Sequence, residues 1–104
     1  MDLDRLTDPV VRGVVEAMVD GDREAFLAAF APGAELTDDG QPQSLATWAE
    51  REIFRSHGRL HVDRQEGGGR HLTGTFHSDQ WDMPTFWHFQ LTDGRISRLD
   101  VGAL

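Results

Sequence analysis

At 104 residues, 38% of them hydrophobic and 27% charged, the chain has the size and composition of one folded unit, and we expect a single domain over residues 1–104. Its formal net charge of −8 argues against a nucleic-acid partner, because phosphate binding depends on clustered Lys and Arg. No apolar run reaches membrane-spanning length and the acidic N-terminus lacks a signal core, so we expect a cytoplasmic protein without a membrane partner.

The start of the chain predicts two helices joined as a hairpin. Thr7-Asp8-Pro9 supplies a capping side chain followed by a proline, which suits a first helical turn. Apolar residues at helical spacing then run to Gly21, which ends the helix, and Asp22 can cap the next one. The second helix is expected to continue to Pro32-Gly33, because its apolar stripe is formed by Phe26, Leu27 and Phe30.

A third helix is predicted after a short extended piece, 34–37, and a turn-rich loop, 38–42. Ser44 is a suitable cap, and the helix is expected to run to about Ser56. One side of this helix carries Leu45, Trp48, Ala49, Glu52 and Ile53.

The second half of the chain predicts strands. Extended segments are expected at 60–63 and 71–77, with Gly67–Gly69 as a flexible connection. The longest strand is 81–91, whose alternate residues form an apolar face of Trp81, Met83, Thr85, Trp87, Phe89 and Leu91. Asp93-Gly94 predicts a tight hairpin turn into a last strand, where the spacing of Ile96, Leu99 and Val101 predicts a bulge near Ser97 or Arg98.

The pairing of segments 71–77 and 81–91 can also be predicted. A loop at 79–80 determines which residues of the two segments lie opposite each other. On one face the predicted pairs are Leu72 with Trp87, Gly74 with Thr85, and Phe76 with Met83. On the other face His71 lies opposite His88. The apolar residues then share one face, and Gly74 is expected to leave room beside the large rings. Three helices followed by an antiparallel sheet predict an α+β fold in which the helical hairpin covers the tryptophan face.

Two segments carry a family pattern. Residues 14–40, VVEAMVDGDREAFLAAFAPGAELTDDG, and residues 86–101, FWHFQLTDGRISRLDV, resemble the opening helices and the closing hairpin of the nuclear transport factor 2 superfamily. That superfamily includes SnoaL-type polyketide cyclases, ketosteroid isomerase and scytalone dehydratase. The resemblance implies a cone-shaped roll of a strongly curved antiparallel sheet packed on three N-terminal helices, often paired as a homodimer through the outer face of the sheet.

Ketosteroid isomerase gives expectations residue by residue. The resemblance places Asp38 at its general-base position, and places Val14 and Trp87 at the positions of its two oxyanion donors. Neither Val14 nor Trp87 supplies the tyrosine or the protonated acid that acts there. Because stabilisation of the oxyanion usually contributes more than any other effect to the rate of such reactions, we reject steroid isomerisation by that mechanism.

We expect a pocket for an apolar small molecule, with Asp38 as the candidate catalytic residue. A carboxylate in an apolar site is better matched to proton abstraction than one in water. Alternatively, Asp38 and Asp39 are simply turn residues before Gly40. The expected ligand-binding residues, which could equally be core, are Val14, Met18, Phe30, Trp48, Leu72, Phe76, Met83, Trp87, Phe89 and Leu99.

The other face of the sheet carries His71, His77 and His88, with His61 beside them in one arrangement. Cross-strand His pairs can bind a transition metal, but a polar face or a dimer interface is the preferred interpretation, so we expect no metal and no cofactor. Phe86 on this face suggests a partner surface, and we expect a homodimer through it.

Three functions follow as hypotheses. The first is an isomerase, cyclase or dehydratase acting on an apolar substrate. The second is a non-catalytic module with the same pocket, which the absence of Tyr, Lys, Cys and Asn favours, because Schiff-base, thiol and phenol chemistry are then unavailable. The third is a domain whose cavity is filled by side chains and whose useful surface is the outer sheet.

Overall fold

The computed structural model describes residues 1–104 as helices packed on one six-stranded sheet. The helical segments are α1 (Pro9–Asp20), α2 (Arg23–Ala28) and α3 (Leu45–Ala49), and α3 runs directly into a π-helix over Glu50–Phe54. The strands are β1 (Phe30–Asp38), β2 (Gln41–Gln43), β3 (Arg59–Glu66), β4 (His71–His77), β5 (Asp82–Thr92) and β6 (Arg95–Ala103).

The strand order across the sheet is β2-β1-β6-β5-β4-β3. Every neighbouring pair is antiparallel except β1 and β6, which are parallel, so the sheet is mixed. The predicted α+β fold, with three helices packed on a sheet, is confirmed. The prediction of a purely antiparallel sheet after all three helices is wrong, because β1 and β2 precede α3 and β1 pairs in parallel with β6.

The first helix begins and ends as its sequence predicts. The Asp8 side chain accepts hydrogen bonds from the backbone N–H groups of Val10 and Val11 at 2.9 and 3.1 Å, and Pro9 follows it. Gly21 ends α1 in the left-handed conformation, with φ of 68°, and Asp22 caps α2 through the backbone N–H of Ala25.

The second helix is shorter than predicted. It ends at Ala28, and Phe30 is the first residue of β1, where it lies opposite Ile96 of β6. The backbone N–H of Ile96 donates to the carbonyl of Ala29 at 2.9 Å. Pairing with β6 therefore overrides the helical spacing of Phe26 and Phe30.

The predicted pairing of β4 and β5 is confirmed at every position, including His71 opposite His88. The predicted bulge is also confirmed, because Gln90 faces Arg98 while Leu91 faces Ile96, which leaves Ser97 as the extra residue. The hairpin turn between β5 and β6 has positive φ at both Asp93 and Gly94.

Trp81 departs from its predicted strand. It precedes β5 and its side chain is 50% exposed, because the segment before it is a turn closed by Ser78. The Ser78 hydroxyl accepts hydrogen bonds from the backbone N–H groups of Gln80 and Trp81. Trp81 is therefore not part of the buried sheet face.

A single core of 21 buried residues joins the helices to the inner face of the sheet, the face that carries Leu72, Trp87 and Phe89. Gly74 opens no space in this core, contrary to expectation. A Cβ atom at Gly74 would collide with the backbone of His61 and Val62 in β3, so that strand already fills the space. None of the helices is long and apolar enough to cross a membrane.

Candidate ligand pocket

The end of β1 places the carboxylate of Asp38 against α3. Asp38 is half-buried, and its Oδ2 accepts a hydrogen bond from the indole Nε1 of Trp48 at 2.9 Å. Trp48 itself is almost fully buried, with 3% of its surface exposed. A rigid, buried donor therefore fixes the direction in which the Asp38 carboxylate points, and the indole uses only one of its two oxygens.

The third helix contributes a second carboxylate. Glu52 lies four residues after Trp48, so the two side chains leave the same side of the helical segment. The turn between them becomes a π-helix, in which the backbone N–H of Arg55 donates to the carbonyl of Glu50 at 2.8 Å. Single-turn π-helices recur at functional sites.

Glu52 is only partly satisfied by its surroundings. Its Oε1 lies 3.7 Å from Nε of Arg51, and its side chain is 20% exposed. Its Oε2 is closed off from solvent and has no hydrogen-bonding partner among the groups of the protein. Buried carboxylate oxygens normally have partners, so this one is an exception that needs an explanation.

The sheet supplies aromatic walls. The Trp48 and Trp87 ring centroids are 6.0 Å apart in an edge-on arrangement, and Phe76 lies 5.9 Å from Trp87. The indole Nε1 of Trp87 donates to the Thr85 hydroxyl at 2.9 Å, and that hydroxyl donates to the carbonyl of Gly74 at 3.1 Å. The polar groups of Trp87 and Thr85 are thus paired inside the protein, as those of buried tryptophans usually are.

These residues line a half-open cavity of about 180 Å³ between the end of β1, α3 and the strands β4 to β6. It lies beside the turn after β1, where Asp39 has a φ of 50° and accepts the backbone N–H of Ala103 at 2.8 Å. The cavity is lined by Asp38, Asp39, Trp48, Glu52, Phe76, Trp81, Met83, Thr85, Trp87, Val101, Gly102 and Ala103.

The cavity brings together part of the predicted site. The predicted residues that line it are Asp38, Trp48, Phe76, Met83 and Trp87. The others lie in the core away from the cavity: Val14, Met18, Phe30, Leu72, Phe89 and Leu99. All three tryptophans of the chain line it, because the exposed Trp81 contributes from outside β5.

Glu52 is the site residue that the sequence prediction missed. The sequence contained an indication of this role, because Glu52 lies on the same side of the predicted third helix as the apolar residues Trp48 and Ile53. A polar residue on a buried face is more informative than an apolar one, because burying it requires a reason.

Solved structures with the same architecture are found for nearly the whole chain. A protein from Sinorhizobium meliloti, provisionally assigned as a polyketide cyclase, is 19% identical with a TM-score of 0.76, over 97% of this chain and 99% of that one. A protein of unknown function from Cytophaga hutchinsonii, described as NTF2-like (nuclear transport factor 2-like), is 11% identical with a TM-score of 0.74, over 91% and 87%. A protein from Kribbella flavida, provisionally assigned as a ketosteroid isomerase, is 14% identical with a TM-score of 0.73, over 95% and 78%.

This chain has the nuclear transport factor 2-like fold. The resemblance seen in the sequence is thereby confirmed at the level of the fold. No family model matches the chain, and no curated protein sequence matches it.

Within this nuclear transport factor 2-like fold, the two positions compared with the oxyanion donors have other roles. Val14 is fully buried in the core and carries no donor. Trp87 has a donor, but its indole N–H is committed to Thr85. Val14 therefore lies outside the pocket, and the indole N–H of Trp87 already has a partner inside the protein.

On the outer face of the nuclear transport factor 2-like sheet, two of the predicted histidines lie together and a third lies apart. His71 and His88 stack with ring centroids 4.4 Å apart, and Asp100 lies opposite His88 on β6. His77 is instead paired with Asp82 at 3.1 Å, so it does not belong to this cluster. No group of three or more His, Cys, Asp or Glu side chains is arranged to hold a metal ion.

Three groups on this face have shifted pKa values. The hydrogen bond with Asp100 and the charge of Asp100 raise the pKa of Arg98. Burial lowers the pKa of His88 and the charge of His71 lowers it further, while Asp100 opposes both. Burial alone would raise the pKa of Asp100, but hydrogen bonds from Arg98 and Thr37, with the charges of Arg98 and His88, hold it below its ordinary value. The cluster is thus a network of paired charges on the side of the sheet away from the pocket.

Proposed function

We propose that this protein binds a small, largely apolar molecule in the pocket and that Asp38 acts as general base in an isomerase-, cyclase- or dehydratase-type reaction. The observation that carries the proposal is the Asp38 carboxylate, fixed by the buried Trp48 indole at 2.9 Å in the wall of an aromatic cavity. The names given to the Sinorhizobium and Kribbella proteins, a polyketide cyclase and a ketosteroid isomerase, support this class of chemistry.

The hydrogen bond from Trp48 prepares Asp38 for proton transfer in one respect. A general base must reach hydrogen-bonding distance of the atom that loses its proton, and its efficiency depends on orientation. The indole takes up Oδ2, so Oδ1 is the oxygen offered to a ligand.

The size of the pocket limits the substrate. Ligand pockets for drug-sized molecules commonly measure about 300 Å³ or more, whereas this cavity is about 180 Å³. An engineered protein cavity of about 150 Å³ is known to hold benzene. The pocket therefore suits a molecule of about one ring, and a fused polycycle would have to extend past Trp81 into solvent.

Deuterium exchange tests the proton-transfer step without knowledge of the natural substrate. Cyclohexanone and 4-piperidone, incubated with the protein in D₂O, are expected to incorporate deuterium next to the carbonyl, as followed by NMR. Asp38→Asn is expected to lower the exchange rate by about 100-fold or more. Asp93→Asn, in the hairpin turn far from the pocket, is the matched control and should exchange at the unaltered rate.

A second candidate function is a non-catalytic binding module. It is favoured by the observation that the three buried side-chain donors in the pocket wall are already committed: Trp48 to Asp38, Trp87 to Thr85, and Thr85 to Gly74. A developing oxyanion would find none of them free. If ligands bind the unaltered protein and Asp38→Asn equally well and neither protein catalyses exchange, the binding module is the correct function.

We also infer that two copies of the chain pair through the outer face of the sheet. Phe86 supports this, because it lies on the face opposite Trp87, is half-buried, and contacts the ring of His88 at a centroid distance of 5.0 Å. Equilibrium sedimentation at micromolar concentration is expected to give twice the chain mass, and Phe86→Ser is expected to shift it towards the monomer. A monomeric mass for the unaltered protein would contradict the inference.

A further inference from the structure

One of the three tryptophans in the cavity wall differs from the other two. Trp48 and Trp87 are almost fully buried, whereas Trp81 is half exposed although it lines the same cavity. Because the cavity is half-open, this exposed lining residue lies at its mouth, where the pocket meets solvent. A ligand that fills the cavity therefore meets, at the mouth, a ring that is otherwise partly in water.

The backbone of Trp81 is held firmly in place. The Ser78 hydroxyl accepts the backbone N–H of Trp81 at 3.0 Å, and the backbone N–H of Ser78 donates to the carbonyl of Trp81 at 2.8 Å. In the same turn, the backbone N–H of Asp79 donates to the carbonyl of Ser56 at 2.8 Å, and the Asp79 carboxylate lies 2.7 Å from Nδ1 of His57. These bonds fix the turn to the residues that follow the π-helix, so the point from which the Trp81 side chain leaves the backbone is set.

The indole of Trp81, by contrast, has no polar or aromatic partner. Its N–H donates to no group of the protein, and its ring pairs with no other ring, whereas Trp48, Trp87 and Phe76 pack on one another. A half-exposed side chain of this kind can change rotamer without breaking a hydrogen bond. The Trp81 indole can therefore adjust to a ligand, while the buried indoles are held by their own hydrogen bonds.

The pocket wall offers few donors to an oxygen atom of a ligand. Three buried side chains of the wall already donate within the protein: Trp48, Thr85 and Trp87. The carboxylates of the wall are acceptors when they are ionised, and the remaining lining residues other than Trp81 are apolar or glycine. The indole N–H of Trp81 is thus the side-chain donor of the wall that is free for a ligand.

We propose that Trp81 binds the ligand directly, with its indole covering the ligand at the mouth of the cavity and its N–H donated to a carbonyl oxygen of the ligand. A carbonyl compound of about one ring suits this arrangement, because it offers an acceptor to Trp81 and an acidic C–H to a base. This inference rests on the proposed function, since it names the ligand class and a positioning residue for the same pocket.

Asp38 and Trp81 then have separate roles in the proposed proton transfer. Asp38 takes the proton from the carbon next to the carbonyl group. The electron pair of that C–H bond forms a carbon–carbon double bond, and an electron pair of the carbonyl group moves onto the oxygen. The negative charge develops on the oxygen that accepts the Trp81 N–H, which stabilises it. Return of a proton from Asp38 to the carbon, or of a deuteron in D₂O, restores the carbonyl compound.

Two ligands of nearly one shape separate the hydrogen bond from the covering ring. Cyclohexanone carries an oxygen atom where methylenecyclohexane carries a CH₂ group. Dissociation constants for both are measured by titration of ¹⁵N-labelled protein, read from the indole signals of Trp48 and Trp87. Trp81→Phe keeps a ring and removes the N–H, so it is expected to weaken cyclohexanone binding by about fivefold and methylenecyclohexane binding by less than about twofold. Trp81→Ala also removes the ring and is expected to weaken both ligands by about fivefold or more.

Gln80→Ala is the matched control. Gln80 precedes Trp81 in the same turn, is exposed and does not line the cavity. Its substitution removes a neighbouring side chain that also carries N–H donors, and should leave both dissociation constants unchanged. Circular dichroism of each variant checks that it folds. In the unaltered protein, exchange of the Trp81 indole proton with water is expected to slow when cyclohexanone is bound.

The outcomes separate this inference from the proposed function. Equal effects of Trp81→Phe on the two ligands, including no effect, equal effects of Trp81→Ala and Gln80→Ala, or no binding of either ligand would each overturn the inference. The proton-transfer proposal is decided independently, by deuterium exchange into cyclohexanone in the unaltered protein and in Asp38→Asn. Exchange that depends on Asp38, with cyclohexanone binding unaffected by Trp81→Phe, would keep the base and remove Trp81 as the donor. Selective loss of cyclohexanone binding in Trp81→Phe, with no exchange in the unaltered protein, would keep Trp81 as a ligand-binding residue of a non-catalytic module.

Discussion

Replacing Glu52 by Met should make the protein more stable. The substitution removes the buried Oε2 that has no partner, keeps an unbranched side chain of similar length, and leaves helix propensity almost unchanged. An unsatisfied buried polar group costs about 1–3 kcal/mol.

The size of the effect can be worked out from the contacts of the side chain. The stability gained by removing Oε2 is reduced by the loss of the ion pair between Glu52 and Arg51. The atoms of this surface pair are 3.7 Å apart, and the pair contributes at most about 1 kcal/mol. The side chain is also 20% exposed, so part of its hydration is retained. We therefore expect Glu52→Met to raise the free energy of unfolding by about 1 kcal/mol, or the Tm by about 4–8 °C for a chain of this size.

The assay is thermal and urea unfolding followed by circular dichroism. Glu50→Met is the matched control, since it lies two residues away and loses a two-point hydrogen bond to Arg23 at 2.6 and 2.9 Å. This exposed pair is worth less than about 1 kcal/mol, so the control should be slightly destabilised. A Glu52→Met protein that is less stable than the unaltered one would refute the reasoning, because Glu52 would then be satisfied in the folded state.

The remaining predictions concern the hydrogen bond at the base, the outer-face histidines and the close contact between β3 and β4. A double-mutant cycle of Trp48→Phe and Asp38→Ala should give a coupling energy of about 1 kcal/mol in urea unfolding, and a value near zero would mean that the indole does not hold the carboxylate. Because burial and then His71 lower the pKa of His88 in the folded state, its contribution to stability should be complete above about pH 6.5 and should decline as the pH falls from there through the lowered pKa. His88→Gln should flatten the plot of unfolding free energy against pH below about pH 6.5. An unchanged plot would contradict the assignment of this pH dependence to His88. Gly74→Ala should destabilise the protein by about 2 kcal/mol or more, since its Cβ would meet the backbone of β3, and a neutral effect would show that β3 can move away.

Much of the sheet could be predicted because its signals are local and reinforce each other. The alternation in β4 and β5 and the short turn between them determine one register, and the Asp93-Gly94 turn with the spacing after Ile96 locates the bulge at Ser97. Each of these features depends on residues close together in the chain.

The errors arise where distant contacts decide the outcome. Phe30 continues a helical pattern in the sequence, but the parallel pairing of β1 with β6, which begins only at Arg95, makes it a strand residue. Trp81 continues the alternation of β5, but the turn at Ser78 turns its backbone out of the sheet. Gly74 lacks a side chain because of the approach of β3, which no local pattern reveals.

The candidate site was partly predictable for similar reasons. Asp38 was found through the family resemblance, and Trp48 and Trp87 through their size and position. Glu52 was missed as a site residue because its importance depends on which atoms surround Oε2 once α3 has passed into the π-helix. The sequence places Glu52 on the correct side of the helix, but it does not reveal an unsatisfied oxygen.

The central claim is that the cavity between α3 and the sheet is the ligand site. Its most direct test is a titration of ¹⁵N-labelled protein with cyclohexanone, read from the three indole N–H signals, because all three tryptophans line this cavity. We predict that all three signals shift along one binding curve, while the backbone amides of the outer face, such as those of His71 and His88, stay in place. Unmoved indole signals together with shifts on the outer face would contradict the account.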